Sequence, residues 1–149
     1  MNVLISACLM GVFCRYDGKT KQNDKLEALM NQYTLIPVCP EILGGLPTPR
    51  PAVEIQNGRA INKEGKDVTD EFERGAKEVL RLAKLYHCDL VILKERSPSC
   101  GNQKIYDGTF SGTLVDGNGF TAQLLLDHGI RVIGESQIDS LLESSSYMK

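Results

Sequence analysis

The feature that most constrains the fold is an alternation of short apolar runs with segments of helical periodicity. Each run is short enough for a buried strand, and the segments between the runs carry apolar residues three and four positions apart. Strands that alternate with helices are joined by right-handed crossovers, which give a parallel sheet covered by helices. The sequence therefore predicts an α/β fold, a Rossmann-like three-layer sandwich with a mainly parallel sheet. The predicted strands are Val3 to Ala7, Thr34 to Val38, Leu90 to Leu93 and Arg131 to Ile133.

Length and composition narrow the class of protein. The chain has 149 residues, of which 42% are hydrophobic, so we expect a single domain over residues 1–149 with one core. A net charge of -2 predicts no surface for a nucleic acid duplex. The apolar runs are shorter than the ~20 residues that a membrane span needs. We therefore expect a cytoplasmic protein that binds no membrane.

Two segments have a clear local signature. Apolar spacing predicts a helix that ends near Leu85 and is capped by Thr69 or Asp70. The stretch from Pro40 to about Lys66 holds four of the six prolines and predicts irregular backbone, because proline cannot donate a backbone hydrogen bond. Within that stretch, Asn57-Gly58 predicts the turn of a small hairpin.

Three of the five cysteines follow predicted strands. Cys8 and Cys39 come directly after the first two strands, and Cys100 follows the third through a Ser-Pro-Ser turn. Because parallel strands end at one edge of the sheet, we expect these thiols to lie close together there. Thiolates are soft ligands that select zinc and iron–sulfur clusters, so the trio indicates a metal site with one open position. The alternative is that these cysteines are simply small buried hydrophobic residues.

The other two cysteines are assigned less directly. An odd number of cysteines and the lack of a C-x-x-C motif give no support for a disulfide framework or a zinc ribbon. Cys14 lies in the loop after the first strand and could be a fourth ligand, a nearby reactive thiol or a bystander. We expect Cys88, which opens the third strand, to belong to the core.

Several polar residues lie beside the predicted metal site in the sequence. Glu41 is a candidate acid or base, although a helix-start or loop carboxylate has the same sequence signature. Ser97 and Ser99 could bind substrate, relay a proton or simply form a turn. Arg50 is a candidate for bidentate hydrogen bonding, as a fork of N–H donors, to a planar ligand that bears oxygen or sulfur. Asn118 lies in a glycine-rich run that opens a helix, where backbone N–H groups could bind an anion or a carbonyl.

At these residues the chain resembles the TudS-type thiouracil desulfidases, in their short single-domain form. The likeness covers nearly the whole chain and consists of five motifs in the family's order. The motifs are S-A-C-L-x-G at Ser6 to Gly11, C-R-Y-D-G at Cys14 to Gly18, P-V-C-P-E at Pro37 to Glu41, G-G-L-P-T-P-R at Gly44 to Arg50, and K-x-R-S-P-S-C-G at Lys94 to Gly101.

The resemblance implies a specific chemistry. Cys8, Cys39 and Cys100 fall on the family's cluster ligands and would hold a [4Fe-4S] cluster whose fourth iron has no protein ligand. The sulfur of a thiocarbonyl substrate such as 2-thiouracil would bind that iron. Glu41 and Ser97 fall on the family's catalytic residues and would activate water and move protons. The reaction gives the oxo product and sulfide without net redox change, from a small thiolated base or nucleoside.

Two other functions use the same residues. A zinc ion on the three cysteines, with water in its open position, would make the protein a hydrolase with Glu41 as the base. A sulfur carrier or cluster-delivery protein would instead transfer its cargo to a partner without turning over a substrate.

Overall fold

A computed structural model describes residues 1–147, so the last two residues of the predicted domain lie outside the described residues. The fold alternates strands and helices along the chain. In chain order the elements are β1 (Asn2–Ser6), a 3₁₀ turn (Ala7–Met10), α1 (Leu26–Gln32), β2 (Thr34–Val38), α2 (Pro40–Leu43), β3 (Val53–Gln56), β4 (Arg59–Asn62), α3 (Thr69–Leu85), β5 (Leu90–Leu93), β6 (Lys104–Tyr106), β7 (Leu114–Asp116), α4 (Phe120–Asp127), β8 (Arg131–Gly134), a 3₁₀ turn (Glu135–Gln137) and α5 (Ile138–Tyr147).

The central sheet is parallel and four-stranded, in the order β2-β1-β5-β8. Ile5 in β1 lies opposite Pro37 on one side and Ile92 on the other. The chain first moves from β1 to β2 and then returns to the far side of β1 to form β5. The strand order therefore reverses between β1 and β5, and this is where open α/β sheets form a binding crevice beyond their carboxyl ends.

Helices cover both faces of the sheet, which confirms the predicted three-layer sandwich. Parallel strands buried on both sides are apolar at successive residues, because neighbouring side chains point to opposite faces. On one face α1 and α5 pack against the sheet, and this core contains Val3, Ile5, Leu29, Ile92, Ile133 and Ile138. On the other face α3 and α4 pack against the sheet, and this core contains Leu4, Val79, Val91, Leu93, Ala122, Leu125 and Val132.

The predicted hairpin is present, but the predicted cap of α3 is wrong. Asn57 and Gly58 both have positive φ, at 50° and 77°, as a tight hairpin turn between β3 and β4 requires. The residue before α3 is Val68, which makes no capping hydrogen bond, and the backbone N–H of Thr69 donates to Asp67 Oδ1 at 2.9 Å. The Thr69 hydroxyl instead accepts the backbone N–H of Ala60, which ties the hairpin to the helix.

Helix α2 was not predicted from the sequence, because its proline and the following glycines are typical of irregular backbone. Pro40 is the first residue of this helix, where its missing N–H costs nothing. Gly44 has an ordinary helical φ of -79°, so its backbone conformation does not require a glycine. A Cβ on Gly44 would lie 1.9 Å from the Glu71 carbonyl oxygen, and one on Gly75 would lie 1.9 Å from the Pro40 carbonyl oxygen. The two glycines let α2 pack backbone to backbone on α3, which fixes the position of Glu41.

Within residues 1–147, the helices all fall short of the length and apolar character that crossing a membrane requires.

Candidate active site at the carboxyl edge of the sheet

A cavity of about 520 Å³ opens beyond the carboxyl ends of β1, β2 and β5. It lies at the reversal of strand order described above, the position that the fold predicts for a binding site. The walls include seven of the eight residues that the sequence analysis proposed for the site. These are Cys8, Cys39, Glu41, Arg50, Ser97, Ser99 and Cys100.

The structure brings the three predicted ligand cysteines to this cavity from separate elements. Cys8 lies in the 3₁₀ turn after β1, Cys39 directly precedes α2, and Cys100 closes the turn after β5. Cys8 and Cys100 are buried, Cys39 is half-buried, and all three are free thiols. Cys14 is also buried and lines the same cavity, so four thiols face one space. Cys88 is buried in the core between the sheet and α3, as predicted.

The pKa is raised above its ordinary value for three thiols of the cavity, Cys14, Cys39 and Cys100. The pKa of Cys14 is raised to about 11: a hydrogen bond with Cys39 lowers the pKa, but a hydrogen bond with Cys8 and burial outweigh it. The hydrogen bond with Cys14, together with burial, raises the pKa of Cys39. Burial raises the pKa of Cys100 to about 12, against the hydroxyls of Ser6 and Ser99, which lower it. A bound metal reverses this balance, because a coordinating thiol is deprotonated.

The spacing of the donors bears on the kind of metal. Among the His, Cys, Asp and Glu side chains of residues 1–147, no three are grouped around a point that one ion could occupy. A zinc ion holds each thiolate about 2.3 Å away, so its sulfur ligands must converge on one point. In an iron–sulfur cluster each cysteine binds an iron of its own, so the sulfurs stay farther apart. Thiolate sulfur is a ligand of both groups, so the donor set of this cavity fits either one.

A rigid turn after β5 places Ser97, Ser99 and Cys100. The Ser97 hydroxyl oxygen accepts the backbone N–H groups of Ser99 at 3.2 Å and of Cys100 at 3.1 Å. The first residues of α4 hold the same turn from outside, since the backbone N–H groups of Phe120 and Thr121 donate to the carbonyl oxygens of Pro98 and Ser99. The turn is thereby fixed by main-chain contacts on both sides.

The structure places Asn118 outside the cavity wall, and substrate binding by this residue stays a prediction. Its side-chain oxygen accepts the backbone N–H of Gln103 at 2.7 Å, and its amide donates to Gln123 at 2.8 Å. The glycine-rich run before α4 does present N–H groups to carbonyls, as expected for a helix start. The N–H groups of Gly119, Phe120 and Thr121 donate to the carbonyl oxygens of Gly101, Pro98 and Ser99, so the run supports the turn after β5.

Arg50 lines the cavity, but its guanidinium is engaged by the protein. Its Nε donates to Glu41 Oε1 at 3.0 Å, and Nη1 donates to the Pro47 carbonyl and to the Thr48 hydroxyl, both at 3.1 Å. Its Nη2 donates to the Cys14 carbonyl at 3.0 Å. Four of the five N–H donors are therefore used. Arg50 therefore holds Glu41 in place, and ligand binding by Arg50 stays a prediction.

Two residues of the site were missed from the sequence. The buried Ser6 hydroxyl accepts the backbone N–H of Lys94 at 2.8 Å and donates to Cys100 Sγ at 3.6 Å. The signal in the sequence was a polar residue at the end of an otherwise apolar strand. Glu54 is buried in β3 and accepts the backbone N–H groups of Gly108 at 3.0 Å and Phe110 at 3.1 Å. It thereby fixes the loop that brings Phe110 to the cavity, and no local pattern indicated that contact.

Comparison with known proteins places the chain in a family. The profile of the 2-thiouracil desulfurase family matches residues 3–137. The uncharacterized protein YbbK of Bacillus subtilis (strain 168) is 41% identical over 150 residues, which cover 94% of this chain and 99% of YbbK. The chain belongs to the 2-thiouracil desulfurase family, as the resemblance of its motifs predicted.

A solved structure extends this likeness to three dimensions. It is described as the [4Fe-4S]-dependent thiouracil desulfidase TudS and is 42% identical to this chain. The superposition covers 98% of each chain with a TM-score of 0.90. The fold predicted from the sequence is thus confirmed.

Proposed function

We propose that this protein removes sulfur from a small thiolated pyrimidine, as the free base or the nucleoside, with the help of a [4Fe-4S] cluster. The observation that carries the proposal is the gathering of Cys8, Cys39 and Cys100 in one cavity with the carboxylate of Glu41 beside them. The family match and the name of the solved relative support the same reaction class. Thiouracil and water would give uracil and hydrogen sulfide, with no electron gained or lost.

The residues of the cavity fit the cluster. Cys8, Cys39 and Cys100 would hold three of its irons, and thiolate sulfur is the donor such clusters take. The Ser6 and Ser99 hydroxyls lie 3.6 and 3.7 Å from Cys100 Sγ, where they can support a thiolate ligand. When bound, the cluster supplies a Lewis-acid iron with no protein ligand, which polarises the carbon–sulfur bond of the substrate.

The protein's own groups would handle the water and its protons. Glu41 is held by Arg50 with its second oxygen free of the guanidinium, so it accepts the proton of the water that attacks the thiocarbonyl carbon. Ser97 lies at the same wall and assists in proton transfer. Tyr16, Tyr106 and Phe110 also line the cavity, and their flat rings match the shape of a planar pyrimidine.

The two other functions have weaker support. The name of the solved relative, a [4Fe-4S]-dependent enzyme, favours a cluster over a zinc ion. A carrier needs neither an oriented carboxylate nor a walled cavity, and the site has both. Metal analysis separates zinc from a cluster, and turnover separates an enzyme from a carrier.

The test begins with anaerobic reconstitution using iron and sulfide, followed by incubation with 2-thiouracil and assays for uracil and released sulfide. We expect cluster-dependent release of both products. Cys100→Ser should lose the cluster and the activity together, because it removes a buried ligand. Cys88→Ser is the matched control, since Cys88 is an equally buried thiol outside the cavity wall.

Two results would contradict the proposal. A Cys100→Ser protein with full iron and sulfide content would remove Cys100 from the ligand set. A wild-type protein that binds the cluster but releases no product from 2-thiouracil or its nucleoside would remove the activity and leave the carrier function.

A further inference from the structure

Glu54 is a buried carboxylate of the cavity wall that the proposed reaction does not use. It is 9% exposed, and it lines the cavity together with Tyr106 and Phe110. The ion pairs within residues 1–147 do not include Glu54. Burial of a carboxylate is costly unless hydrogen bonds or a charged partner compensate it, so each of its two oxygens needs donors.

One oxygen of Glu54 is satisfied by the loop between β6 and β7. Oε1 accepts the backbone N–H groups of Gly108 at 3.0 Å and of Phe110 at 3.1 Å. Gln56 holds the same loop, since its Nε2 donates to the Gly108 carbonyl oxygen at 2.7 Å. The orientation of the carboxylate group is therefore fixed, because two main-chain N–H groups converge on one of its oxygens.

The other oxygen of Glu54 is open to the cavity. Within residues 1–147 no group donates a hydrogen bond to Oε2, because both donors of this carboxylate bind Oε1. The fully buried side-chain oxygen and nitrogen atoms without a hydrogen bond in that range are Gln32 Oε1 and Thr121 Oγ1, and Glu54 Oε2 is not one of them. Oε2 is therefore accessible, and since Glu54 lines the cavity, this oxygen faces the cavity.

The chemistry of this wall defines what it can hold. An ionised carboxylate oxygen accepts hydrogen bonds and donates none, so its ligand must carry a donor. The rings of Tyr106 and Phe110 on the same wall suit a flat ligand. A thiolated pyrimidine combines a flat ring with ring N–H groups. The N3–H is the donor that the free base and the nucleoside share, because the sugar replaces the hydrogen on N1.

We propose that Glu54 Oε2 accepts the N3–H of the thiolated pyrimidine and thereby selects substrates that carry this donor. N3 is bonded to both C2 and C4, so the hydrogen bond holds the ring beside either carbon that can carry the sulfur. The inference rests on the proposed function, in which the pyrimidine enters this cavity. Glu54 recognises the substrate, while Glu41, held by Arg50, handles the water.

Glu54→Gln tests the open oxygen without releasing the loop. The N–H groups of Gly108 and Phe110 require an oxygen, so the amide oxygen takes the place of Oε1 and the amide NH₂ takes the place of Oε2. The variant thus presents a donor where wild type presents an acceptor. Gln56→Ala is the matched control, because it loosens the same loop but its side chain lies outside the cavity wall.

Binding of the reaction product measures recognition apart from chemistry. Calorimetry compares uracil with 3-methyluracil, which lacks the N3–H, on reconstituted wild type and both variants at equal iron content. We expect the preference of wild type for uracil to fall about 30-fold in Glu54→Gln, because a hydrogen bond to a charged group is lost. The bulk of the methyl group is the same in both proteins, so the change in preference reports on the hydrogen bond.

Three further outcomes are expected from the same proteins. Gln56→Ala should keep the wild-type preference. Wild type should bind 1-methyluracil, which keeps the N3–H, about as tightly as uracil. In turnover of 2-thiouracil, Glu54→Gln should raise KM about 30-fold with little change in kcat, because the hydrogen bond is present before and during the reaction.

Two results would overturn the inference while the proposed function stands. One is equal binding of uracil and 3-methyluracil by wild type, a result that needs no variant. The other is an unchanged preference for uracil in Glu54→Gln. A loaded wild-type protein that prefers uracil over 3-methyluracil but releases no sulfide from thiolated pyrimidines would instead overturn the proposed reaction alone.

Discussion

The protein has two arginine–carboxylate pairs with similar geometry and opposite surroundings. Arg50 Nε lies 3.0 Å from Glu41 Oε1, and their side chains are 4% and 12% exposed. Arg59 Nε lies 2.8 Å from Asp67 Oδ2, and their side chains are 56% and 41% exposed. The first pair lines the cavity, and the second lies on the β3–β4 hairpin side of the molecule.

The difference shows what burial adds to an ion pair. Water competes for every donor and acceptor of the exposed pair, so such pairs add little to stability. Water has little access to Glu41 and Arg50, so losing one of them leaves the other as an uncompensated charge. Arg50 also donates from Nη2 to the Cys14 carbonyl oxygen, so the pair connects the Cys14 loop to the carboxylate. We infer that the buried pair organises the site and the exposed pair only supports the hairpin.

The largest effect is expected from breaking the buried pair. Arg50→Met should lower the free energy of unfolding by about 3 kcal/mol, because the Glu41 carboxylate loses its partner. Since Glu41 also loses its orientation, kcat should fall about 100-fold. Urea unfolding and the desulfidation assay measure the two effects. Unchanged stability and activity would mean that Arg50 does not orient Glu41.

Removing both partners sharpens this result. Arg50→Met combined with Glu41→Leu replaces the pair by apolar groups, which is often neutral for stability. We expect the double variant to recover much of the stability lost in Arg50→Met but to remain inactive. Recovery of activity in that variant would exclude Glu41 from the reaction.

The matched change in the exposed pair should do little. Arg59→Met removes the same kind of contact where solvent already screens it, so the urea midpoint should stay within the scatter of surface substitutions. Activity should be unchanged, because neither partner lines the cavity. A loss comparable to that of Arg50→Met would show that burial does not separate the two pairs.

The smallest expected effect is a pH dependence of the free energy of unfolding. Hydrogen bonds from Arg59 and Thr69 lower the pKa of Asp67 from 3.8 to about 2. A carboxylate with a lowered pKa stabilises the fold at pH values above its unfolded pKa, and that stabilisation disappears as pH falls toward the folded value. The stability difference between wild type and Asp67→Asn should therefore shrink between about pH 4 and pH 2. An unchanged difference across that range would mean that Asp67 is not paired in solution.

Local patterns predicted the fold well where each element carries its own signal. The strands and α3 follow apolar periodicity, and the hairpin turn follows Asn57-Gly58. α2 was missed because Gly44 and Gly75 serve a contact between two helices that are distant in sequence. A pattern within one segment cannot show that kind of packing.

The site was predicted only in part, because some of its contacts also join residues that are distant in sequence. The three cysteines could be placed at one edge because parallel strands end together. Arg50 and Asn118 were assigned by residue type, but their hydrogen-bond partners are fixed only by the folded loops. Ser6 was missed because its function depends on Cys100, which lies far away in the sequence.

The most direct test of the account compares sulfide release from 2-thiouracil by reconstituted wild type, Glu41→Gln and Asp67→Asn at equal iron content. We predict that all three proteins bind the cluster, that wild type and Asp67→Asn release sulfide and uracil at the same rate, and that Glu41→Gln releases almost none. Equal release by all three proteins would contradict the account, because the buried carboxylate would then take no part in the reaction.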